Sequence, residues 1–301
     1  MSILAITGGT GFVGRTLIDL AVREGHEVRA LTRRPQPDMA RVTWVSGALD
    51  TPLALTSLIR GADAVIHVAG VVNAPDRAGF AAGNIAGTQA VVDAATSVGV
   101  QRFIHVSSLA AREPELSDYG WSKAGAEHVV EASSLHWTIV RPTAIYGPGD
   151  MEMRDMFRIA KYGLALLPPP GRMSVIAVSD LARLLLSLVA TNQGPVILEA
   201  DDGTQGGWSH GDFARAIGAA VGRPVLPLAL PKAILSVGAK ADRLFRGRKA
   251  KLTQDRVNYL THPDWTVDPA KRPDSLIWRP EVPTLQGLAE TAAWYRANGL
   301  L

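Results

Sequence analysis

Tyr119 and Lys123 stand four residues apart in the segment Ser117-Asp118-Tyr119-Gly120-Trp121-Ser122-Lys123, and Ser108 precedes Tyr119 by eleven residues. On a helix, a spacing of four places the phenol and the ammonium on one face, one turn apart. A cation beside a phenol favours the phenolate and lowers the pKa of the tyrosine. The pattern predicts a group that exchanges a proton near neutral pH. The alternative is a half-buried tyrosine beside a solvated lysine.

A glycine-rich turn near the start of the chain favours a catalytic role for Tyr119 and Lys123. The sequence reads Ile3-Leu4-Ala5-Ile6-Thr7-Gly8-Gly9-Thr10-Gly11-Phe12-Val13-Gly14. A buried strand, a turn of this kind and an amphipathic helix together are typical of a site for a dinucleotide pyrophosphate. In that arrangement Gly8 permits the tight turn, Gly11 lets the pyrophosphate approach the backbone, and Gly14 lets helix and strand pack closely.

Composition restricts the class of protein. The chain has 301 residues, 47% of them hydrophobic, and no cysteine, which excludes disulfides and thiolate metal sites. The seven histidines are scattered, and we expect no metal site. A formal net charge of +3 is too small to indicate nucleic-acid binding. No targeting segment precedes the first strand, which predicts a cytoplasmic protein. The longest apolar stretch, residues 225–237, contains two prolines and a lysine and is too short to span a membrane.

One basic cluster follows that stretch. It consists of Arg243, Arg246, Arg248, Lys249 and Lys251. We expect a solvated loop after a helix here. A patch that contacts a membrane surface or an anionic ligand is the alternative interpretation.

Strand and helix patterns alternate through the first half of the chain. After the first strand, further strands are predicted at residues 27–32, 43–45, 64–68, 102–106 and 137–140, with a helix at 80–97. This alternation predicts an α/β fold, a Rossmann-type doubly wound parallel sheet. We expect residues 1–150 to form the dinucleotide-binding core, with a strand and a helix around 172–200 returning to it. Prolines interrupt the pattern in residues 151–301. We expect these residues to form mostly a small C-terminal lobe that covers the substrate.

The chain resembles the extended branch of the short-chain dehydrogenase/reductase superfamily, which contains NAD(P)-dependent epimerases, dehydratases and hydroxysteroid-dehydrogenase-like reductases. The motifs that carry the resemblance are the glycine turn, His67-Val68-Ala69-Gly70, Asn84 in Asn84-Ile85-Ala86-Gly87-Thr88, Ser107-Ser108, the Tyr119/Lys123 pair and Arg141-Pro142-Thr143-Ala144-Ile145-Tyr146-Gly147-Pro148-Gly149. The closing segments around His262 and Trp294 also resemble those of steroid- and flavonol-reductase-like members.

The resemblance implies a role for each of these residues. The predicted catalytic residues are Ser108, Tyr119, Lys123 and Asn84. Ser108 would hydrogen-bond the substrate oxygen, Tyr119 would act as acid or base, and Lys123 would lower the pKa of Tyr119 and bind the nicotinamide ribose. Asn84 would kink its helix and position a water molecule or backbone group. The predicted cofactor-binding residues are Gly8, Thr10, Gly11, Phe12, Val13, Arg33, Arg34, Leu49, Val68, Ala69, Gly70, Tyr119, Lys123, Pro142, Thr143, Ala144 and Ile145.

The end of the second strand bears on the choice of cofactor. NAD-dependent enzymes usually carry an acid there for the ribose hydroxyls. Here the strand ends Leu31-Thr32-Arg33-Arg34, and no acid follows before Asp38. Two arginines suit a 2′-phosphate through charge-assisted hydrogen bonds. We therefore predict NADP(H), with NAD(H) as the alternative.

Two departures from the family pattern concern the ligands. Ala48 follows Gly47 where an aspartate usually contacts the adenine, so we expect Leu49 and the backbone to hold that ring, with Asp50 as the alternative. The short interval between Ser108 and Tyr119 lacks the insertion that helps nucleotide-sugar epimerases to shape their sugar site. Candidate substrate-lining residues are Val71, Val72, Trp121, Tyr146, Met151, Met153, Met156 and Phe157.

These observations predict an NADP(H)-dependent oxidoreductase that interconverts a carbonyl and an alcohol on a small or moderately sized apolar substrate. An NAD-dependent sugar-nucleotide epimerase or dehydratase is the enzymatic alternative. A non-catalytic cofactor-binding assembly or sensor protein is the alternative from another class. The superfamily resemblance also suggests a homodimer.

Overall fold

A seven-stranded sheet organises the computed structural model, which describes residues 1–191, 193–247, 250 and 252–301. Its strands lie in the order β11-β6-β5-β4-β1-β2-β3. Their bounds are β1 Ile3–Thr7, β2 Glu27–Thr32, β3 Val42–Ser46, β4 Ala64–His67, β5 Arg102–Val106, β6 His136–Pro142 and β11 Val196–Ala200. The registers from β3 across to β6 are parallel. The predicted Rossmann-type sheet is confirmed.

Successive strands are added in opposite directions on the two sides of the β1/β4 boundary, with β2 and β3 beyond β1 and with β5, β6 and β11 beyond β4. In parallel sheets, ligands bind beyond the carboxyl ends of the strands at such a switch point. Every residue of β4 and of β5 is buried, as apolar strands covered by helices on both faces must be.

The chain divides into two compact units. The first contains Met1–Pro142, Leu181–Glu199 and Lys271–Arg279, and the second contains Thr143–Asp180, Ala200–Ala270 and Pro280–Leu301. The helices of the first unit are α1 Phe12–Arg23, α2 Pro52–Ile59, α3 Arg77–Phe80, α4 Gly87–Ser97, α5 Asp118–Glu131 and a 3-10 helix Leu109–Arg112. Helix α7, Val178–Ser187, begins in the second unit and continues in the first.

The predicted helix at 80–97 is interrupted. Helix α3 passes into a π-helix, Ala81–Ala86, before α4 begins at Gly87. Apolar periodicity does not distinguish a π turn from an α turn, so the sequence predicted one continuous helix. Turns of this kind occur frequently at functional sites.

The second unit has small sheets and helices around its own core. Its strands are β7 Ala144–Tyr146, β8 Leu164–Leu167, β9 Arg172–Met173, β10 Val175–Ala177, β12 Trp208–Ser209, β13 Leu226–Ala229 and β14 Asp264–Trp265. Its helices are α6 Arg154–Ala160, α8 His210–Val221, α9 Lys232–Arg246, α10 Gln254–Leu260 and α11 Thr284–Ala297. The core is formed by aromatic and aliphatic side chains that include Phe157, Phe213 and Tyr295.

Asp180 lies in the first turn of α7, which begins at Val178. Its carboxylate accepts hydrogen bonds from the backbone N–H groups of Glu281 and Val282. The apolar stretch at 225–237 forms β13 and the first part of α9.

Of the basic cluster, Arg243 and Arg246 lie on α9. Arg248, Lys249 and Lys251 lie outside the described residues. Across the ranges that the structure describes, no helix has the length and apolar character needed to cross a membrane. Within the same ranges, no group of histidine and carboxylate side chains could hold a metal ion.

Candidate active site

The glycine turn lies at the carboxyl end of β1. Gly8 has a φ of +76°, and a Cβ there would lie 2.6 Å from the backbone nitrogen of Ala69. A Cβ at Gly14 would lie 2.1 Å from the carbonyl oxygen of Gly8. Both positions therefore need glycine for the turn to pass between helix and strand. Helix α1 begins at Phe12 after Gly11, so its free N–H groups face the end of the sheet, where they suit phosphate oxygens.

The ends of the neighbouring strands carry the other predicted cofactor residues. Arg33 and Arg34 follow β2 and are exposed. Among the described residues, no carboxylate pairs with either guanidinium. Leu49 follows β3 and is half-buried, with its side chain directed towards Gly87. Since parallel strands share a carboxyl edge, these residues lie on the same edge as Gly8.

Ser108 and Tyr119 are joined by a hydrogen bond between their hydroxyl groups. Ser108 follows β5, and its hydroxyl also accepts from the N–H of Ala110 at 3.2 Å. Tyr119 lies in the first turn of α5, which Ser117 caps by accepting from the N–H of Gly120 at 2.9 Å. A Cβ at Gly120 would lie 2.7 Å from the carbonyl oxygen of Ala110. Glycine therefore permits the approach that brings the two hydroxyl groups together.

The pKa of Tyr119 is raised rather than lowered. Burial of the phenol raises the pKa, and the hydrogen bond with Ser108 opposes this effect. The expectation that Lys123 holds the pKa of Tyr119 below its usual value is therefore wrong for this arrangement. The Nζ atom of Lys123 donates to the carbonyl oxygen of Val106 at 2.9 Å.

Lys123 is itself perturbed. Its side chain is buried, and burial lowers its pKa to about 8, although the carboxylate of Glu127 opposes this shift. An ammonium with this pKa exchanges its proton more readily than an exposed lysine does. Lys123 lies close to Gly70, since a Cβ at Gly70 would be 3.7 Å from its Nζ atom.

Asn84 lies in the π-helix and is almost completely buried. Its Oδ1 atom accepts from the N–H of Val71 at 2.7 Å, and its Nδ2 atom donates to the carbonyl oxygen of Val71 at 3.0 Å. Nδ2 also donates to the hydroxyl of Ser122 at 2.9 Å, and that hydroxyl donates to the carbonyl oxygen of Tyr119. Asn84 thus connects the segment after β4 to the first turn of α5.

A pair of buried histidines lies behind this edge. His67 places its Nδ1 atom 2.6 Å from the hydroxyl of Thr7 and its Nε2 atom 3.0 Å from that of Thr88. Its ring stacks on that of His105 with centroids 5.2 Å apart. Burial and the charge of Lys123 lower the pKa of His67 to about 3 and that of His105 well below its usual value. Both rings are therefore neutral.

A group of buried charges that the sequence analysis did not identify supports the same strands. Glu127 on α5 accepts from Arg141 on β6 at 2.9 and 2.6 Å, and the hydroxyl of Ser107 donates to the same carboxylate. Arg141 also lies 3.5 Å from Glu199 on β11, which Arg112 approaches to 3.4 Å. Glu127 stands four residues after Lys123, so helical spacing places the two side chains on the same face of α5. This spacing was the sequence signal that could have identified Glu127.

The predicted site residues divide between the units. Those named above, with Val68, Ala69 and Pro142, belong to the first unit. Thr143, Ala144 and Ile145 open the second unit, the latter two on β7. Thr10, Phe12 and Val13 lie in the turn and at the start of α1.

The expected substrate-lining residues fall into different environments. Tyr146 and Phe157 are completely buried in the core of the second unit, so they do not line an open cleft. Met153 and Met156 pack against that core, whereas Val72 and Met151 are exposed. Trp121 has the guanidinium of Arg77 over its ring at 3.9 Å, which covers one face of the indole. The remaining member of this set is the half-buried Val71.

Comparison with known proteins connects this geometry to a family. Residues 8–192 match the NAD(P)H-binding family. A ceramide reductase of Caulobacter vibrioides is 36% identical over 317 residues, which cover 99% of this chain and 96% of the relative. A UDP-glucose 4-epimerase of Vibrio cholerae is 26% identical over 333 residues, with 98% and 96% covered. The solved structure of the Bordetella bronchiseptica enzyme WbmH in complex with NAD+ has a TM-score of 0.77 at 21% identity and covers 99% of each chain.

Proposed function

Since this chain belongs to the NAD(P)H-binding family, within the extended branch of the short-chain dehydrogenase/reductase superfamily, we propose that it is an NADP(H)-dependent reductase of an apolar carbonyl compound. It is an NAD(P)-dependent enzyme, as its relatives are reductases and epimerases. The proposal concerns the cofactor preference, the substrate class and the residues that carry out the reaction.

The hydrogen bond between Ser108 and Tyr119 is the observation that carries the proposal. Two hydroxyl groups in contact at the carboxyl edge of the sheet bind one carbonyl oxygen from two directions. Because the pKa of Tyr119 is raised, its phenol keeps a proton at neutral pH and can donate it to that oxygen as negative charge develops. Ser108 stabilises the same charge by a second hydrogen bond.

Lys123 restores the proton of Tyr119 in this proposal. Its lowered pKa, about 8, makes proton exchange near neutral pH favourable. Asn84 is a positioning residue, because its polar atoms bind the backbone of Val71 and the hydroxyl of Ser122 and so orient the first turn of α5. These roles need no residue of the second unit.

The residues fit the nicotinamide cofactor. The turn at Gly8 and Gly14 has no space for a Cβ, and the N-terminus of α1 supplies N–H groups for a pyrophosphate. When bound, the cofactor supplies the hydride. Arg33 and Arg34 are exposed at the end of β2, with no acid in the position that would bind the ribose hydroxyls of NAD. This arrangement favours a 2′-phosphate and hence NADP(H).

The relatives support an apolar substrate. The name of the Caulobacter protein specifies reduction of a ceramide, which is a lipid, and this relative matches nearly the whole chain. The segment between Ser108 and Tyr119 is short, so it provides no additional surface for a sugar nucleotide. The Vibrio relative nevertheless makes sugar-nucleotide epimerisation with NAD the second candidate.

Two measurements separate these candidates. Calorimetric titration of the purified protein with NADPH and with NADH tests the cofactor, and we expect micromolar binding of NADPH and much weaker binding of NADH. Consumption of NADPH in the presence of long-chain ketones in detergent tests the reaction. Tight binding of NADH, together with turnover of UDP-glucose, would favour the epimerase. Failure to bind either nucleotide would contradict both.

A further inference from the structure

The outward face of α9 is apolar. Ile234, Val237, Leu244 and Phe245 are all exposed, the last two to 82% and 85%. Their spacing of three, seven and one places them on one side of the helix, together with the exposed Ala241. Surface helices of globular proteins normally present their polar side to solvent. This helix presents an apolar stripe to solvent as well as its charged residues, and the stripe is complementary to an apolar environment.

The opposite face of α9 is bound to the second unit. Ala239 is buried there, and Asp242 accepts from the N–H of Leu252 at 2.9 Å. Ser236 accepts from the side chain of Gln254 at 3.3 Å. These contacts fix the rotation of the helix about its axis. The outward direction of the apolar stripe is therefore a property of the folded unit.

A second apolar surface precedes α9 in the chain. Strands β8 and β13 pair in parallel, with Leu164 opposite Leu226 and Leu166 opposite Leu228. Alternate residues of a strand point to the same face, so the four leucines share one face. All four are exposed, between 39% and 60%. We call this surface of four leucines the leucine ribbon. Leu230 lies between the end of β13 and Pro231, the N-cap of α9.

Cations accompany the apolar stripe. Helix α9 carries Lys232, Lys240, Arg243 and Arg246, and its single acid is Asp242. Arg246 pairs with Asp242 at 3.2 Å, and the other three cations are exposed. Lys240 lies beside the stripe and the other three lie on the polar side of the helix. A helix with an apolar side and a polar side rich in lysine and arginine is typical of helices that lie in the interface of an anionic bilayer.

We propose that α9 and the leucine ribbon dock this protein on the surface of an anionic lipid bilayer. The apolar side chains enter the boundary between head groups and acyl chains, and the cations bind lipid phosphates. The sequence alone favoured a solvated loop for this region, and the outward stripe of α9 is the observation that favours the alternative. Docking goes beyond the proposed reductase activity and does not depend on it.

Flotation of the full-length protein with vesicles tests the proposal. We expect the protein to float with vesicles of phosphatidylglycerol and phosphatidylcholine and to bind vesicles of phosphatidylcholine alone more weakly. The double variant Leu244→Ser/Phe245→Ser should bind at least about 100-fold more weakly, since two large apolar groups no longer enter the lipid. A matched variant, Leu53→Ser/Leu276→Ser, removes two leucines that are 85% and 93% exposed elsewhere and should float like the wild type.

The charges are tested separately. The variant Lys240→Gln/Arg243→Gln should lose about 30-fold in affinity for the anionic vesicles and little for phosphatidylcholine alone. Circular dichroism of each variant checks that the chain is folded, and failure of the reductase assay leaves flotation unaffected.

Three outcomes would overturn the proposal. The wild type could stay in the dense fraction with both kinds of vesicle. The Leu244→Ser/Phe245→Ser variant could float as well as the wild type. Light scattering could reveal a dimer that this variant converts to a monomer, which would assign the stripe to a second copy of the chain.

Discussion

The carboxylate of Glu127 accepts two hydrogen bonds from the guanidinium of Arg141, from Nε at 2.9 Å and from Nη2 at 2.6 Å. The pair is buried and connects α5, which carries Tyr119 and Lys123, to the next strand of the sheet. Because the hydroxyl of Ser107 donates to the same carboxylate, the pair also holds the residue beside Ser108. The geometry of the candidate site thus depends on an ion pair outside the predicted catalytic residues.

Replacement of Glu127 should destabilise the fold. Glu127→Gln leaves the buried guanidinium of Arg141 with one fewer anionic partner, and removal of one member of such a pair costs about 3–5 kcal/mol. Urea unfolding followed by tryptophan fluorescence would measure the loss. Glu131→Gln, one turn further along α5 at an exposed position, is the control and should change stability little. Equal unfolding midpoints for the two variants would contradict a structural role for the pair.

Tyr119→Phe should remove turnover and leave cofactor binding intact. The phenol hydroxyl donates the proton in the proposed reaction, and loss of such a group lowers rates about 100- to 10,000-fold. Steady-state NADPH consumption and calorimetric titration with NADPH would measure the two effects. Tyr162→Phe makes the same change at an exposed position and is the control. A parallel loss of turnover and NADPH affinity would assign Tyr119 to binding instead.

Arg33→Ala/Arg34→Ala should weaken NADPH more than NADH. A hydrogen bond to a charged group contributes about 1.5–3 kcal/mol, which corresponds to about ten- to hundredfold in affinity for each arginine. Only NADPH carries the 2′-phosphate that these side chains would bind. The control is Arg60→Ala, an exposed arginine at the amino edge of the sheet, before β4. Equal losses for both nucleotides would argue against recognition of this phosphate.

Asn84→Ala should loosen the start of α5. The substitution removes the partners of both the N–H and the carbonyl of Val71, and a buried polar group without a partner costs about 1–3 kcal/mol. Lower thermal stability with reduced turnover is the expected result, measured by circular dichroism and by the NADPH assay. Asn73→Ala, at an exposed position nearby, should behave like the wild type. An unchanged melting temperature for Asn84→Ala would refute the positioning role.

Stability should fall in mild acid because of His67. Burial lowers its pKa from 6.5 to about 3, so between these values the unfolded chain binds a proton that the folded chain does not. The stability that the neutral ring contributes is therefore present above pH 6.5 and decreases towards pH 3, by about 1.4 kcal/mol for each pH unit. His67→Gln should flatten this part of the stability curve, measured by urea unfolding at several pH values. His128→Gln, at an exposed position, should leave the slope unchanged.

The type of sheet and the positions of the principal motifs could be predicted from the amino-acid sequence. Alternating apolar segments predicted the parallel strands, because a strand covered on both faces must be apolar along its length. The glycines at 8 and 14 were predicted from the motif. The structure gives the physical reason for them, because backbone atoms leave no space for a Cβ at either position. The spacing of Tyr119 and Lys123 correctly indicated one turn of a helix.

Burial and contacts between residues that are distant in sequence could not be predicted from any local pattern. The raised pKa of Tyr119 results from burial, and burial depends on segments distant in sequence. The pairing of Glu127 with Arg141 joins residues fourteen apart on a helix and a strand, and Glu199 comes from a strand much later in the chain. The apolar stripe of α9 has the period of an ordinary amphipathic helix. Its contacts with Leu252 and Gln254 and the burial of Ala239 determine that the stripe faces outward, since periodicity defines a face and not its direction.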